Sequence, residues 1–342
     1  MTDNPLGLQS IATIQPPTVP PAQKAPTRAQ LKLIKRAELL KDQETGTPVF
    51  LPRFLVQCTL PHHDPGNVPI WQRHNNEFTL SLQPGYDGNG ECIGYPYGLM
   101  PRLVLIWMVT EAKRTSSRRL SLGSSLTQFL TQLGLDVESR GKRSDAKRLT
   151  EQVRRLFNTR MLFHKRIQGN RAKNGRLHPL EGEAMQDRQI ASSYELWWHA
   201  HSESLWESYV ELGSDFFAAI MESTVPFRLE AVAMLRRSTL SLDMYILAVY
   251  LGYYLTLKGV KKHTLTWEML NQQLGANYGD IDDLKGAVKK IVPRIKLAHP
   301  GLRMRVKQGQ GGKNKKYVAG GLEIYASAPA IKPREPQQLE AQ

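Results

Sequence analysis

The chain has 342 residues, a hydrophobic content of 41% and a formal net charge of +15. This length is sufficient for two or three domains with separate cores. No run reaches the roughly 18 consecutive apolar residues of a membrane span, and the N-terminus lacks the pattern of a secretory signal. The two cysteines, Cys58 and Cys92, form neither a disulfide framework nor a CxxC pair. We therefore expect a cytoplasmic protein with free thiols and no membrane contact.

Positive charge is concentrated in two blocks of the chain. Residues 102–176 contain 18 Lys/Arg against 5 Asp/Glu, and residues 285–318 contain 11 Lys/Arg and no acidic residue. Both blocks also show apolar periodicity, so we expect two folded basic surfaces that face a polyanion. Two well-solvated faces that bind nothing specific are the alternative.

The N-terminal part begins with a segment that has no apolar period. Residues 1–26 are rich in Pro, Gln and Thr and are predicted to be disordered, whereas residues 27–41 have helical spacing. Two strands are then predicted, over the apolar residues 49–60 and over residues 78–82, where apolar and polar side chains alternate.

A first unit follows, in which the periodicity becomes helical. Pro101 starts a first helix, Ser124 or Ser125 caps a second helix that ends at Gly134, and a third helix follows a basic loop. We then expect a strand, an exposed basic tip and a returning strand, over residues 161–167, 169–175 and 190–198.

A second unit has a similar order of predicted elements. A helical stretch over residues 226–237 leads into an apolar helix over residues 241–257; Thr266 then caps another helix, and Asp280 or Asp282 caps the last. Two strands around a Gly/Lys tip follow, over residues 302–306 and 317–325.

The two units repeat the same spacing of four residues. Each has a capping hydroxyl, two apolar residues one turn apart and a glycine after the helix: Ser125, Phe129, Leu133 and Gly134 in the first, Thr266, Leu270, Leu274 and Gly275 in the second. Helix, helix, turn, helix and hairpin is the order of a winged helix, whose third helix enters the major groove of DNA. We therefore predict an α+β fold with two tandem winged-helix domains and disordered N- and C-terminal tails.

The predicted boundaries divide the chain into four parts. A disordered or helical arm over residues 1–47 precedes winged-helix domain 1, residues 48–225, to which we assign dimerisation and DNA binding. Winged-helix domain 2, residues 226–327, binds DNA, and residues 328–342 form a disordered tail. The dimer contact is assigned to the strands before Pro101.

The candidate DNA-binding residues lie on the two third helices and on the two hairpin tips. Arginine can pair bidentately with guanine and asparagine with adenine, whereas lysine is better suited to phosphate. The first unit supplies Arg143, Lys147, Arg148, Arg154, Arg155 and Asn158, with Arg171 and Lys173 at its tip; the second supplies Lys285, Lys289, Arg294 and Lys296, with Lys313, Lys315 and Lys316 at its tip. Ordinary amphipathic surface helices are the alternative. Pro293 is expected to kink or shorten the last helix.

Several spaced motifs resemble the plasmid-encoded RepA-type replication initiators. They are PYGLMPRLVLIWMVTEAKRTSSRRLSLGSSLTQFLTQLGLD from Pro96, KRLTEQVRRLF from Lys147, LPHHDP from Leu60, and the Trp71-x-Arg73-x-Asn pattern before FTLSL. The resemblance covers residues 48–235. It implies a protein that binds repeated sites (iterons) at a plasmid origin, helps to open adjacent DNA and recruits host helicase and polymerase-loading factors. It also implies a monomer–dimer equilibrium in which dimers repress the protein's own gene, with effects on plasmid copy control.

Two other functions share part of this evidence. A nicking Rep endonuclease would use His199 and His201 to hold a metal, and Tyr253 or Tyr254, near Lys258, to attack a DNA phosphate. A transcriptional regulator would share every DNA-binding feature. The His62–His63 pair beside Asp64 has no further close ligand in the sequence. With no GxxxxGK[ST] motif in the chain, we expect a protein that is not an enzyme and needs no cofactor or metal.

Overall fold

The computed structural model describes residues 46–75, 78–123, 128–130, 133, 145–173, 176–196, 208–312 and 315–331. The helix predicted over residues 27–41, the capping serines Ser124 and Ser125, and both predicted disordered tails, apart from residues 46–47 and 328–331, lie outside these ranges.

Within its described residues, the first unit combines helices and strands. In chain order these are β1 (Pro48–Pro52), α1 (Arg53–Gln57), β2 (Trp71–His74), β3 (Phe78–Gln83), α2 (Leu99–Thr115), β4 (Arg119–Gly123), α3 (Asp145–Phe157), β5 (Arg160–Lys173), β6 (Arg176–Gln189), β7 (Ala191–Glu195), β8 (Ser208–Leu212) and α4 (Ser214–Glu222).

The described residues of the second unit form four helices and six strands. They are β9 (Thr224–Arg228), α5 (Leu229–Leu235), α6 (Thr239–Leu257), β10 (Lys262–Thr266), α7 (Trp267–Gln273), α8 (Ile281–Ala298), β11 (Met304–Lys307), β12 (Gln310–Gly312), β13 (Lys315–Val318) and β14 (Gly321–Tyr325). The mixed α+β class is confirmed.

The second unit has the winged-helix arrangement. After α6, strand β10 forms one edge of an antiparallel sheet of order β10–β14–β11, and α7 and α8 lie between β10 and β11 in the chain. The predicted caps are confirmed. The Thr266 side chain accepts a hydrogen bond from the Met269 N–H at 3.2 Å, and the Asp280 side chain accepts one from the Asp282 N–H at 2.7 Å. These bonds satisfy N–H groups that a helix leaves without internal partners.

The first unit repeats the element order with a different sheet. Helix α2, strand β4, a helical segment at residues 128–130, helix α3 and the β5–β6 hairpin follow one another as their counterparts do. Strand β4, however, pairs with β8, and the hairpin completes a sheet of order β2–β3–β5–β6. Each hairpin strand has 14 residues and spans roughly 45 Å at the usual rise per residue. The two winged-helix-like units are confirmed, with this extended hairpin in the first.

Several local predictions were wrong or incomplete. Residues 49–60 were predicted as one strand, but the chain leaves β1 at Pro52 and forms α1, so that Leu55 and Val56 enter the core. The returning strand is β6 rather than residues 190–198, and strands β2, β4 and β10 were not predicted. The helix predicted over residues 226–237 is shorter than expected, because residues 226–228 belong to β9, which pairs with β1. Pro293 does not end α8, which continues to Ala298; the ring of Pro293 is exposed, where the helix tolerates the missing N–H.

Helix α6 is the core helix of the second unit. By length and composition alone, it is the one helix in the described part of the chain that could cross a membrane. However, 67% of its apolar stretch is buried inside the protein. Both cysteines are free, and burial raises the pKa of the Cys58 thiol to about 12.

The two units are joined through a buried polar contact. Arg102 of α2 donates hydrogen bonds from Nε and Nη2 to the two carboxylate oxygens of Asp243 of α6, at 2.7 and 2.8 Å. His62 Nε2 lies 2.8 Å from Asp243 Oδ2. Arg102 also donates to the backbone carbonyls of Leu60, Pro61 and Gly98. Because every one of these groups has a partner, the charge can remain buried.

The segment before His62 also lies against the end of α7. The His62 N–H donates to the Gly275 carbonyl at 2.8 Å, and the Gly275 N–H donates to Thr59 Oγ1 at 2.9 Å. A Cβ atom on Gly275 would lie 1.8 Å from the Leu60 carbonyl oxygen. Gly275 was predicted to stop a helix, but its structural role is this close approach of two backbones.

Candidate nucleic-acid interface

Helix α3 presents one basic face to solvent. Leu149, Val153 and Leu156 are fully buried at helical spacing, and burying each contributes roughly 1.5–3 kcal/mol. The opposite face carries the exposed candidates Lys147, Arg148 and Arg154, all of them predicted from the sequence. Arg148 lies 3.6 Å from Asp145, and Arg154 lies 3.5 Å from Asp87. These exposed pairs are weak, so both arginines can exchange them for a nucleic-acid contact.

Arg155 has internal partners. Its Nη1 lies 2.9 Å from Asp64 and donates to the Tyr95 carbonyl at 3.2 Å, and its Nη2 lies 2.8 Å from Glu151. The half-buried guanidinium therefore ties α3 to the loop before β2. A DNA contact by Arg155 stays a prediction.

Asn158 is also engaged within the protein. Its Nδ2 donates to the Arg154 carbonyl and to the Tyr194 hydroxyl, both at 2.8 Å. These bonds close the C-terminal end of α3 against β7. Sequence spacing placed Asn158 on the outer face, but the partner that turns it inward lies 36 residues away.

The β5–β6 hairpin carries the tip candidates of the first unit. Arg171 pairs across the ladder with His178, and Lys173 pairs with Arg176 beside the turn. The backbone of these residues is described but their side chains are not. Arg143, two residues before the start of α3, lies outside the described residues.

Helix α8 provides the second basic face. Leu284, Val288, Ile291 and Ile295 face the core, whereas the candidates Lys289 and Lys296 are exposed. Lys285 forms an ion pair with Asp282 at 2.7 Å. The predicted candidate Arg294 is half-buried; its Nε is buried with no hydrogen-bond partner among the described residues.

Lys290 is an exposed lysine of the same face that sequence reasoning missed. It lies next to Lys289 and one turn before Arg294, so its position at the edge of the apolar stripe was the available signal. The tip candidates Lys315 and Lys316 lie on β13, where Lys315 pairs with Gly312. Lys313 lies outside the described residues.

The described residues contain no cluster of three or more side chains suited to a metal ion. His62, weighed above as a ligand, is instead bonded to Asp243 and buried. His199 and His201 lie outside the described residues. Tyr254 is exposed and stacks on Tyr250 with ring centres 6.0 Å apart.

Comparison with known proteins gives one matching family model and several similar solved structures, two of which are described below. A search of curated proteins found no match. The chain is similar to a crystal structure of SeMet derivatives of domain 2 and domain 3 of RctB, at 11% identity and a TM-score of 0.47, covering 80% of this chain and 95% of that one. A second structure of RctB domains 2–3 gives 12% identity and a TM-score of 0.42, covering 80% and 96%. The family model described as "Plasmid encoded RepA protein" matches residues 95–269, just over half of the 342-residue chain. The chain therefore belongs to the family of plasmid-encoded RepA proteins and is a DNA-binding replication initiator.

Proposed function

We propose that the protein starts plasmid replication by binding repeated duplex sites at its origin with both winged-helix units. The observation that carries the proposal is repetition. Each unit presents an exposed basic helix face, on α3 and on α8, followed by a β-hairpin with basic residues at its tip. One basic amphipathic helix is common on protein surfaces, whereas two in the same element order fit the docking geometry of paired DNA-binding units.

The two faces support different roles. Arg154 of α3 has the planar guanidinium that pairs bidentately with guanine, so we assign base reading to the first unit. The face of α8 carries lysines, which act as point charges, so we assign phosphate binding and affinity to the second. In this division of roles, the first unit selects the site and the second holds the duplex.

The steps after binding belong to the same proposal. The bound protein would promote opening of adjacent DNA, recruit host helicase and replication factors in the cytoplasm, and repress its own gene as a dimer, without cutting DNA and without a cofactor. A dimer contact through the strands before Pro101 remains a hypothesis. Within the chain, β1 pairs with β9, and β3 lies between β2 and β5, so β2 forms the edge of that sheet.

Footprinting on a fragment that contains the plasmid's own origin tests binding and cutting together. The protein is added with and without Mg²⁺, and both strands are examined on a denaturing gel. Protection of repeated sites with both strands intact is the expected result. A metal-dependent nick that is lost in His201→Ala would replace the proposal with an endonuclease, and absence of any protection would remove origin binding.

Two substitutions of one residue test base reading. Arg154→Ala and Arg154→Lys should both relax the preference at one base pair by about 1–3 kcal/mol, since lysine keeps the charge but loses the bidentate geometry. The exposed Lys261, beyond the end of α6, provides the control Lys261→Gln. If Arg154→Lys kept full discrimination, Arg154 would contact phosphate rather than a base.

A further inference from the structure

A cleft of about 580 Å³ lies where the two units meet. It is bordered by His62 and His63, by the start of α2 with the two residues before it, by one side of α3, and by the turn between α5 and α6. The turn contributes Arg236 and Arg237, and α3 contributes Arg148 and Glu151. Neither arginine of the turn belongs to the two basic blocks of the sequence, so charge counting along the chain did not identify them.

The charges in this cleft favour an anion. Its two acidic groups already have basic partners, because Asp145 lies 3.6 Å from Arg148 and Glu151 lies 2.8 Å from Arg155. Arg237 is exposed, and no ion pair of its side chain occurs among the described residues. A negatively charged ligand would therefore meet an arginine whose charge is not already neutralised.

The N-terminus of α6 adds to the positive electrostatic potential of the cleft. Ser238 caps this 19-residue helix by accepting a hydrogen bond from the Ser241 N–H at 3.2 Å, and Thr239 lines the cleft. The positive end of the helix dipole thus points towards the region where Arg237 lies. This contribution is secondary to the full positive charge of Arg237.

The turn lies between the two helices that are proposed to meet DNA. Helix α5 packs against α8, and the turn that follows α5 borders the outer face of α3. When two helices occupy major-groove segments of one duplex, a stretch of sugar–phosphate backbone runs between them. If α3 and α8 bind one duplex in this way, the arginines of the turn would lie beside that stretch.

We propose that Arg236 and Arg237 form a phosphate-binding site for the backbone of duplex DNA at the junction of the two units. The site rests on the proposed function, since it requires both units to engage one duplex. Its ligand is a backbone phosphate, so it contributes affinity and register and carries no base preference of its own.

Titration of labelled origin DNA by fluorescence anisotropy, over a series of salt concentrations, tests the site. Arg237→Gln should weaken binding about tenfold at low salt and reduce the slope of log K against log salt by about one. The double variant Arg236→Gln/Arg237→Gln should reduce the slope further. Discrimination between origin and unrelated DNA should be unchanged in both.

A control with matched charge is available at the other end of the same helix. Lys258 and Lys261 follow α6 roughly 28 Å from its start, by the helical rise per residue. They adjoin the end of β10 where Lys262 pairs with Tyr325, away from the β12–β13 tip. Lys258→Gln/Lys261→Gln should leave the salt slope within about half a unit of the parent value.

The outcomes separate the inference from the function on which it rests. If the parent protein binds the origin but Arg237→Gln keeps its affinity and slope, the junction site is overturned while the proposed function stands. If Arg237→Gln relaxes preference at one base pair, the residue reads a base and the phosphate assignment is overturned. If the parent protein does not bind duplex DNA, the proposed function itself fails.

Discussion

Arg102 and Asp243, which are 141 residues apart, form a bidentate ion pair that is buried between the two units. Burial alone would raise the pKa of Asp243. The Arg102 charge and the hydrogen bonds from His62 and Arg102 outweigh that effect and hold this pKa well below its usual value. The carboxylate therefore remains ionised, and the pair joins α2 to α6 throughout the neutral range.

Arg102→Met should destabilise the protein by about 3–5 kcal/mol, because it leaves the Asp243 charge buried without its main partner. The double variant Arg102→Met/Asp243→Leu should lose less than the sum of the two single variants, since it removes both charges. Urea unfolding followed by circular dichroism provides the measurement. Additive losses in the double variant would show that the two residues do not act as a pair.

Gly275→Ala should destabilise the junction by a few kcal/mol, since its Cβ would lie 1.8 Å from the Leu60 carbonyl oxygen and backbone must move. The matched control is Gly279→Ala, in the same connection between α7 and α8, where no atom lies within 4 Å of the added Cβ. Thermal unfolding of both variants checks the difference. Equal midpoints for the two would contradict the role assigned to Gly275.

Stability should fall as the pH is lowered from about 6.5 towards 4, because two histidines are buried in the neutral form. Burial, together with the nearby Arg228 charge, lowers the pKa of His299 to about 4, and burial also lowers the pKa of His62 despite Asp243. As the pH falls, the unfolded chain binds protons at these two histidines before the folded protein does. The free energy of unfolding is therefore highest above the unfolded-state pKa and decreases as the pH falls below it.

For His299 alone the loss amounts to about 2 kcal/mol at pH 5. His299→Gln should therefore show a smaller difference between its unfolding free energies at pH 7 and pH 5 than the parent protein does. Urea titrations at the two pH values measure this difference. An unchanged difference would mean that His299 does not titrate in this range.

Gly286→Ala should raise the free energy of unfolding by about 0.5–1 kcal/mol. Gly286 lies inside α8, no atom lies within 4 Å of an added Cβ, and alanine loses less backbone entropy in a helix than glycine does. Measuring DNA affinity together with stability separates an effect on the helix from an effect on DNA contact. A gain in stability with weaker DNA binding would place Gly286 in close contact with the duplex.

Features that depend on residues within about one helical turn were predicted correctly from the sequence. Thr266 and Asp280 cap their helices as their spacing predicts, and the exposed positions of Arg154, Lys289 and Lys296 follow from apolar periodicity. These features depend on neighbours a few residues away, which the sequence places beside one another.

Features that depend on distant partners were not accessible in the same way. Strand β6 contains a proline and no regular alternation, so only its pairing with β5 makes it a strand. The inward contacts of Arg155 and the buried pair of Arg102 need partners 91 and 141 residues away. The cleft beside Arg237 forms only when the two units pack against each other.

The buried ion pair between the two units also fixes their relative position. If the two units cannot rotate against each other without exposing Asp243 or Arg102, the angle between α3 and α8 is a fixed property of the protein. A duplex held by both units must then present its two half-sites at one helical phase. Five additional base pairs between the half-sites, about half a turn of DNA, would place the second on the opposite face of the duplex. Under the proposed function, the buried Arg102–Asp243 contact would therefore set the spacing between the two half-sites.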